Sequence, residues 1–280
     1  MPEGDTIHRT AAALHRALAG HVVTAFETAC AHLARMDDDE PIVGRRVEAV
    51  RAAGKHLLVE FSDDLVLRTH MRMSGRWHLY RHGERWRGPD AAVRVVIATA
   101  QFVAVAFDVV DAELVRATAL ARHRALARLG PDLLDPSFVE ADAIANVRAC
   151  GDRPIGEVLL DQRVMAGVGN VFKSEILFVV GIHPGAMASS LDEDAVVKLV
   201  RTARRLLQVN ASNGPNAGSG PFAARRRTTG RLNPAERLWV YGRSRRPCFR
   251  CGSPIAAAKQ GVAARTTYWC PRCQPGPRAR

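Results

Sequence analysis

The sequence has no hydrophobic run long enough to cross a membrane, which excludes a helical membrane protein. Its first ten residues include Glu3 and Asp5 and no apolar stretch, so we expect no signal peptide. These absences favour a cytoplasmic, nucleoid-associated protein. No internal repeat is present, and 280 residues with 47% hydrophobic side chains suit two modest domains with an appendage.

Lysine is also scarce, with four copies among 40 basic residues, and acidic residues are nearly absent from the C-terminal end. Residues 221–280 contain fourteen Lys or Arg and only Glu236 as an acid, so they carry a net charge of +13. The first 220 residues carry −1. Localised positive charge of this size favours a polyanionic partner, most commonly nucleic acid. A solvated basic tail is the alternative, and it suits only residues 275–280.

Hydrophobic spacing predicts a helix followed by strands in the first part of the chain. Apolar residues from Ile7 to Leu18 recur at steps of four, three and four, which predicts a helix over residues 4–19. Short runs rich in β-formers, separated by turn residues, follow at 55–61, 65–71, 91–99 and 102–110. Several short strands joined by turns predict an antiparallel β-sandwich.

Helical patterns predominate from residue 111 onward. Predicted helices span residues 113–129, 136–150, 155–165, 171–180 and 191–210. Gly130-Pro131 would end the first of them. Residues 210–221 are rich in Asn, Gly, Ser and Pro and predict a mobile loop. The last forty residues form a small module that contains aromatic residues and cysteines.

Four of the six cysteines have the spacing of a zinc site. Cys248 and Cys251 form one C-x-x-C pair, and Cys270 and Cys273 form a second pair eighteen residues later. Four thiolates leave a tetrahedral Zn²⁺ no open position, so we expect one structural ion. Two disulfides or a redox-active pair are the alternatives, and the absent secretion signal disfavours the former. Arginines around the module, including Arg243, Arg245, Arg246, Arg250, Arg265 and Arg272, indicate that it faces phosphates.

The N-terminus offers a second chemical possibility. Removal of Met1 would expose the secondary amine of Pro2 at the start of the first helix, where the helix dipole disfavours its protonated form. Attack of that amine on a sugar carbon C1′ gives an iminium cation that cannot lose its charge by deprotonation. Glu3 could move protons beside it. An ordinary proline at a helix start is the alternative.

A glycine-rich turn between two predicted helices is a candidate phosphate site. Gly167 and Gly169 would let backbone amides approach a phosphate, and the side chain of Asn170 could add a hydrogen bond. An ordinary helical hairpin with a glycine turn has the same pattern.

Taken together, motifs along nearly the whole chain resemble those of the formamidopyrimidine-DNA glycosylase and endonuclease VIII family. In chain order they are Met1-Pro2-Glu3-Gly4, Gly54-Lys55-His56-Leu57, His70-Met71-Arg72-Met73-Ser74-Gly75-Arg76, residues 160–175, Trp239-Val240-Tyr241-Gly242-Arg243 and the four cysteines. Each motif is modest alone, but their order and spacing are specific. The opening Pro-Glu-Gly and the closing Tyr268-Trp269-Cys270-Pro271 are nearer to the endonuclease VIII branch.

The resemblance implies an α+β fold in which an N-terminal helix and an antiparallel β-sandwich precede a helical domain. That helical domain would contain a helix–two-turn–helix, and a four-cysteine zinc-finger β-hairpin would follow it. The expected domains are a catalytic β-sandwich over residues 1–115, the DNA-binding helical domain over 116–238 and the zinc finger over 239–275. Residues 276–280 would form a basic tail.

The resemblance also implies residue roles. Pro2 would be the Schiff-base nucleophile, Glu3 the general acid and base, and Lys55 a group near the phosphate that assists β-elimination. Asn170 and Arg265 would hold phosphates beside the extruded nucleotide, with Arg265 assisting δ-elimination. Met73 would be the apolar wedge left in the duplex when the base flips out. From the residues alone, Lys55 could be a solvated surface charge and Met73 a core methionine.

Two departures from the family pattern bear on these roles. Thr6 stands where many relatives have Glu, which weakens the case for a secondary proton-transfer group. The segment after Asp108 contains Val109 and Val110 and lacks the Arg and Phe of the family's second wedge loop. We therefore expect reduced contacts with the opposite DNA strand, weak discrimination of the base opposite the lesion and tolerance of single strands.

The resulting expectation is a bifunctional DNA glycosylase and abasic-site lyase of base excision repair. It would excise oxidised bases, pyrimidines in preference to purines, and would act as a monomer on damaged double- or single-stranded DNA. A catalytically inactive DNA-binding relative is the first alternative, because motifs alone do not establish turnover. A zinc-ribbon protein of RNA or transcription machinery is the second.

Overall fold

The computed structural model describes residues 2–212 and 226–276, which fall into two compact units. The described part of the first unit is residues 2–128, and that of the second is 129–212 with 226–276. Met1, most of the predicted loop over 210–221 and most of the basic tail lie outside the described residues. Within the described ranges, no helix is both long and apolar enough to span a bilayer.

The first helix, α1 (Gly4–Leu18), confirms the prediction from hydrophobic spacing. Its apolar stripe, which includes Ile7, Leu14 and Leu18, is buried in the core of the first unit. Gly20 follows with a φ of +82°, a conformation that glycine adopts without steric strain, and this lets the chain turn into the first strand.

Eight strands of the first unit form two four-stranded antiparallel sheets. The strands are β1 (Val23–Thr28), β2 (Val47–Ala53), β3 (His56–Phe61), β4 (Leu65–His70), β5 (Arg76–Arg81), β6 (Val93–Thr99), β7 (Phe102–Phe107) and β8 (Asp111–Arg116). Their orders are β1-β6-β7-β5 and β2-β3-β4-β8. One apolar cluster takes residues from both sheets and from α1, as expected for a sandwich. A second helix, α2 (Ala31–Asp39), connects β1 and β2.

The helix predicted over residues 113–129 is wrong. Residues 111–116 form β8, which pairs with β4 from His70↔Asp111 to Leu65↔Arg116. Ala112 and Leu114 point into the core at every second position. Only α3 (Ala117–Leu120) is helical. The good helix formers of this stretch are overridden by pairing with a strand that is distant in sequence.

The second unit contains α4 (Glu140–Arg148), α5 (Ile155–Val158), α6 (Asn170–Val180) and α7 (Glu193–Ser212), around its own apolar core. The helix predicted over 155–165 is too long. Asp161 Oδ1 accepts the backbone amide of Arg163 at 3.1 Å, and the Gln162 amide donates to the carbonyls of Leu160 and Val168 at 2.9 Å. These local side-chain bonds replace helical ones. Helix α7 continues two residues beyond the predicted end.

The C-terminal module is built on a hairpin of β9 (Ala256–Gln260) and β10 (Arg265–Trp269). The C-x-x-C pairs flank this hairpin in the sequence. Cys248 and Cys270 are buried with Ile255, Val240 and Phe178 of α6 in a small apolar cluster. The zinc ligands therefore belong to a core shared with the helical part of the same unit.

Candidate active site

Pro2 and Glu3 lie at the N-terminal end of α1. Glu3 has an extended backbone, and its carbonyl oxygen accepts the amides of Thr6 and Ile7 at 2.9 and 3.1 Å. Glu3 is fully buried, whereas Pro2 is half-buried. Because a helix N-terminus carries partial positive charge, it disfavours protonation of a nearby amine. An unblocked Pro2 nitrogen would therefore be a nucleophile adjacent in sequence to a carboxyl group that is shielded from water.

The neighbouring acid, Asp5, is engaged in contacts within α1. It is fully buried, and its carboxylate accepts Arg9 Nη1 at 3.2 Å and the hydroxyl of Thr6 at 3.2 Å. Thr6 thus binds Asp5. The Asp5 carboxylate is thus bound within α1, whereas Glu3 lies at its start.

The Lys55 turn lies at one end of the sheet β2-β3-β4-β8. Gly54, with a φ of +58°, makes the turn between β2 and β3, and Lys55 follows it. The strand register then places His56 opposite His70 and His70 opposite Asp111. The two histidine rings meet edge to face with centroids 4.8 Å apart. Three adjacent strands thus bring two imidazoles and a carboxylate to the same end of the sheet as Lys55.

Arg68 connects these groups and was not predicted as a site residue. Arg68 is only 6% exposed, and its guanidinium donates to His56 Nδ1 at 2.8 Å, to Asp111 Oδ1 at 2.6 Å and to Glu113. Glu113 in turn contacts His123 Nε2 at 2.6 Å. A charged residue in the middle of an apolar strand was the available signal, because buried arginines need partners. The partners themselves depend on strand register.

His56 and His70 are both neutral near pH 7. Burial lowers the pKa of His56 to about 3, with further contributions from His70 and Arg68. Burial likewise lowers the pKa of His70 to about 4, with a further contribution from Arg72. The Nδ1 atoms accept hydrogen bonds from Arg68 Nη1 and from the backbone amide of Arg72. Each neutral ring therefore carries its proton on Nε2.

The loop between β4 and β5 presents Met73 to solvent. Met73 is 55% exposed, whereas Met71 is 2% exposed and packs in the core. A core position was the alternative prediction for Met73. The structure places Met71 in the core instead and leaves Met73 exposed. An exposed methionine on a turn is the geometry that a wedge into a base stack requires.

The second loop of this region, between β7 and β8, also presents an apolar residue. Val110 is 67% exposed, while Phe107 and Val109 are buried. Asp108 has a φ of +55°, and its carboxylate accepts Arg76 Nη1 at 2.6 Å. The loop is therefore short and fixed by an ion pair, and it offers a single small side chain to a ligand.

The glycine-rich turn leads directly into α6. Gly167 has a φ of +105°, and its amide is accepted by the side chain of Gln162 at 3.1 Å. Asn170, the first residue of α6, donates from its amide to the carbonyl of Thr266 at 2.9 Å. Its Oδ1 atom is buried and, among the described residues, has no hydrogen-bond partner. The helix terminus and the β9–β10 hairpin are thereby joined next to Arg265, the first residue of β10.

The four cysteines form a metal site. Their Sγ atoms lie within 4.8 Å of one another, with Cys251 to Cys270 at 3.4 Å and Cys248 to Cys273 at 3.9 Å. Zn–S bonds of about 2.3 Å in a tetrahedron separate the sulfurs by about 3.8 Å, so the cluster fits one zinc ion. The ion is structural because all four positions are filled by protein.

The arginines that predicted a phosphate-facing module include two whose side chains bond to backbone carbonyls instead. Arg243 is 7% exposed and donates to the carbonyls of Trp239 and Pro247. Arg250 donates to the carbonyl of Phe178 at 3.1 Å near the C-terminal end of α6. These two side chains stabilise the module. Arg246 and Arg272 are exposed and Arg265 is half-buried.

Comparisons with family models identify three stretches of the chain. The N-terminal domain of formamidopyrimidine-DNA glycosylase matches residues 1–113, and its H2TH domain matches residues 129–217. The zinc finger found in FPG and IleRS matches residues 246–276.

Individual relatives match over the full length. A probable endonuclease 8 2 of Streptomyces coelicolor is 40% identical, covering 100% of this chain and 96% of that protein. A DNA-(apurinic or apyrimidinic site) lyase, Nei2 of Mycolicibacterium smegmatis, is 38% identical, covering 98% and 99%. The structure of Lactococcus lactis Fpg with abasic-site DNA has a similar fold, with a TM-score of 0.83, 22% identity, and coverage of 98% and 100%.

Proposed function

The chain belongs to the formamidopyrimidine-DNA glycosylase and endonuclease VIII family, and from this premise we propose how its own residues carry out the reaction. It is a bifunctional DNA glycosylase and abasic-site lyase of base excision repair with one structural zinc ion. A catalytically inactive relative is not favoured. The observation that supports the mechanism is the position of half-buried Pro2 and fully buried Glu3 at the N-terminus of α1.

The reaction begins when the Pro2 nitrogen bonds to C1′ of the damaged nucleotide and the base leaves with its bonding electrons and a proton. Glu3 protonates the sugar ring oxygen, so the ring opens to an iminium ion. This cation withdraws electrons, and loss of a C2′ proton expels the 3′ phosphate by β-elimination. Lys55 assists this step. A second elimination, assisted by Arg265, expels the 5′ phosphate.

DNA binding uses groups in each unit. Asn170 and Arg265 bind phosphates from α6 and the β9–β10 hairpin, and Met73 fills the gap left by the extruded base. The functional domains are assigned as the catalytic sandwich over residues 1–115, the DNA-binding helices over 116–238, the zinc finger over 239–275 and the basic tail over 276–280. The protein acts as a monomer in the cytoplasm, associated with the nucleoid.

The preferred substrates are oxidised pyrimidines, because the two ends of the chain resemble the endonuclease VIII branch and a relative of 40% identity is named a probable endonuclease 8 2. Single-turnover excision of 5-hydroxycytosine, thymine glycol and 8-oxoguanine from matched oligonucleotides measures this preference. Faster excision of 8-oxoguanine than of either pyrimidine would reverse the assignment. With one lesion placed opposite each of the four bases, we expect a spread of rates below about a hundredfold, because the 108–111 loop offers only Val110 to the opposite strand.

Borohydride trapping tests the nucleophile. Wild-type protein, shown by intact mass to lack Met1, is incubated with abasic-site DNA and sodium borohydride. We expect a covalent protein–DNA adduct, because reduction fixes the iminium ion. Pro2→Gly should form this adduct much more slowly, since its primary amine gives an imine that must be protonated before it can withdraw electrons.

The matched control is Pro89→Gly, which changes a proline of the same unit that lies in a loop. It should form the wild-type amount of adduct. Trapping of wild-type protein through another residue, located by peptide mapping, would contradict the assignment of Pro2. Absence of any adduct from protein with an unblocked terminus would contradict the lyase reaction itself.

A further inference from the structure

The loop of residues 71–75 is closed very tightly at its base. The amide of Gly75 donates to the carbonyl of Met71 at 2.8 Å. A Cβ atom at Gly75 would lie 2.5 Å from that carbonyl oxygen, so only glycine fits there. Met71 itself is buried in the core. The loop therefore has a fixed base, and its exposed residues are those between Met71 and Gly75.

Arg72 has an unusual conformation within this loop. Its φ is +49°, in the left-handed region that residues other than glycine or asparagine rarely adopt. Two contacts hold it there. The backbone amide donates to His70 Nδ1 at 3.1 Å, and Nη2 contacts Asp111 Oδ2 at 2.5 Å. A strained residue that is fixed at both its backbone and its side chain indicates a functional constraint.

Asp111 is itself held by the buried arginine of β4. Arg68 Nη2 donates to Asp111 Oδ1 at 2.6 Å, while Oδ2 is left for Arg72. The Arg68 side chain is 7% exposed and the Arg72 side chain is 64% exposed. The carboxylate thus connects a rigid, buried guanidinium to an exposed one on the loop. The Arg72 side chain is exposed, so its ion pair links the loop to Asp111 without adding to the core.

We propose that the chain of contacts Arg68–Asp111–Arg72 is a positioning device that holds the 71–75 loop in one conformation, with Met73 exposed before DNA arrives. A preset loop inserts its wedge without first losing conformational freedom, which favours the flipped-out state of the duplex. The inference rests on the proposed function of Met73 as the wedge. Arg68, Asp111 and Arg72 act through Met73 and do not touch the reacting atoms.

Four variants test the device, and the measured quantity is the ratio of single-turnover excision rates on duplex and single-stranded DNA with the same lesion. Arg72→Ala keeps the strained backbone but loses the ion pair, and Asp111→Asn removes the charge that holds Arg72. We expect each to lower the ratio about tenfold. Arg72→Gly also loses the ion pair with Asp111, but glycine accepts a positive φ without strain. We therefore expect this variant to lower the ratio less. Met73→Ala gives the reference value for a lost wedge.

A 2-aminopurine placed opposite the lesion gives a second readout, because insertion of Met73 unstacks it and raises its fluorescence. Arg72→Ala and Asp111→Asn should reduce the rise as Met73→Ala does. Arg116→Ala is the matched control, since Arg116 is also an exposed arginine ion-paired to a distant acid, Glu40, in the same unit. It should keep both the ratio and the fluorescence of the wild type.

The variants separate the possible outcomes. If Arg72 instead contacted DNA directly, Arg72→Ala and Arg72→Gly would lose activity equally and Asp111→Asn would retain it. Suppose that Arg72→Ala and Asp111→Asn keep the wild-type ratio while Met73→Ala lowers it. This result would contradict the positioning role and would still support Met73 as the wedge. A wild-type ratio for Met73→Ala would contradict the wedge role of Met73 and, with it, the positioning role of Arg72. If Asp111→Asn does not fold, the surface variants of Arg72 decide alone.

Discussion

His56 and His70 are two histidines that the fold keeps uncharged near pH 7. Their rings are in contact, and each Nδ1 atom faces a donor from an arginine residue. Asp111 is one of two acids in the same network, with Glu113, and burial alone would raise the pKa of Asp111. The hydrogen bonds and charges of Arg68 and Arg72 outweigh burial and lower the pKa of Asp111 below its usual value. The carboxylate is therefore ionised near pH 7, where both histidines are neutral.

The low histidine pKa values predict a loss of stability in acid. Folded values of about 3 for His56 and about 4 for His70 lie below the unfolded value of 6.5. Unfolding therefore takes up protons below pH 6.5, and the stabilisation present above that pH is lost as the pH falls. We expect the free energy of unfolding to fall by up to about 1.4 kcal/mol per pH unit for each histidine between pH 6.5 and 4. Urea titrations across this range measure the slope.

His56→Gln should lower the slope by up to about 1.4 kcal/mol per pH unit, the share of one histidine, whatever its effect on stability at pH 7. The control His21→Gln replaces a half-buried histidine of the same unit outside the network and should keep the wild-type slope. A wild-type slope in His56→Gln would mean that His56 is not neutral in the folded protein.

At the scale of elements, β8 illustrates which parts of the fold the sequence could predict. Helix α1 and strands β3, β4, β6 and β7 follow from local periodicity and turn residues, and they were predicted within a few residues. Residues 111–116 have helix-forming composition and become a strand because β4 offers a free edge to pair with. That partner lies about 45 residues earlier in the sequence, so local periodicity carried no signal for it.

Some residues of the candidate site could be predicted from local sequence motifs, and others depend on strand register. Pro2, Lys55 and Met73 lie at element ends or turns, where motifs determine the residue type. Arg68 and Asp111 lie within or at the start of strands, and their pairing depends on register between β4 and β8. The cysteine spacing predicted the zinc site completely because two tight C-x-x-C turns suffice to define it.

Glu175 of α6 organises a long stretch of the second unit without regular structure. It is fully buried, and its carboxylate accepts the backbone amides of Trp239, Val240 and Tyr241 at 2.7, 2.9 and 2.8 Å. The hydroxyl of Thr228 also donates to it. Burial raises the pKa of Glu175, and these hydrogen bonds act in the opposite direction. One side chain thus satisfies three consecutive backbone donors that have no strand or helix to join.

Glu175→Gln should destabilise this unit by about 2–4 kcal/mol, because the glutamine NH₂ would face at least one backbone donor. The measurement is the urea midpoint together with hydrogen exchange of amides 239–241, which should speed up markedly. Glu193→Gln is the control, since Glu193 is an exposed acid of the same unit with a long ion pair to Arg148 at 3.4 Å. Unchanged exchange at 239–241 in Glu175→Gln would show that other contacts hold the segment.

On the scale of the whole molecule, charge and stability are distributed unevenly. The excess positive charge lies in residues 221–280, although part of it is used internally by Arg243 and Arg250. The first unit has a large sandwich core of its own. The C-terminal module has only a small cluster in which all four zinc-site cysteines take part. The segment that carries Arg265 therefore depends on metal far more than the catalytic sandwich does.

Removal of zinc should unfold the C-terminal module and leave the β-sandwich folded. Chelation under reducing conditions leaves four thiols without the ion that gathers them, and structural zinc sites contribute folding free energy directly. We expect hydrogen exchange to accelerate in β9 and β10 and remain slow in β3 and β4. Binding to abasic-site DNA should weaken at least about tenfold, because the hairpin that presents Arg265 is lost. Cys248→Ser should reproduce this pattern, while Cys150→Ser, which changes a cysteine outside the cluster, should retain one zinc per chain and full binding. Metal-free protein with protected β10 amides and unchanged DNA affinity would contradict a structural role for the ion.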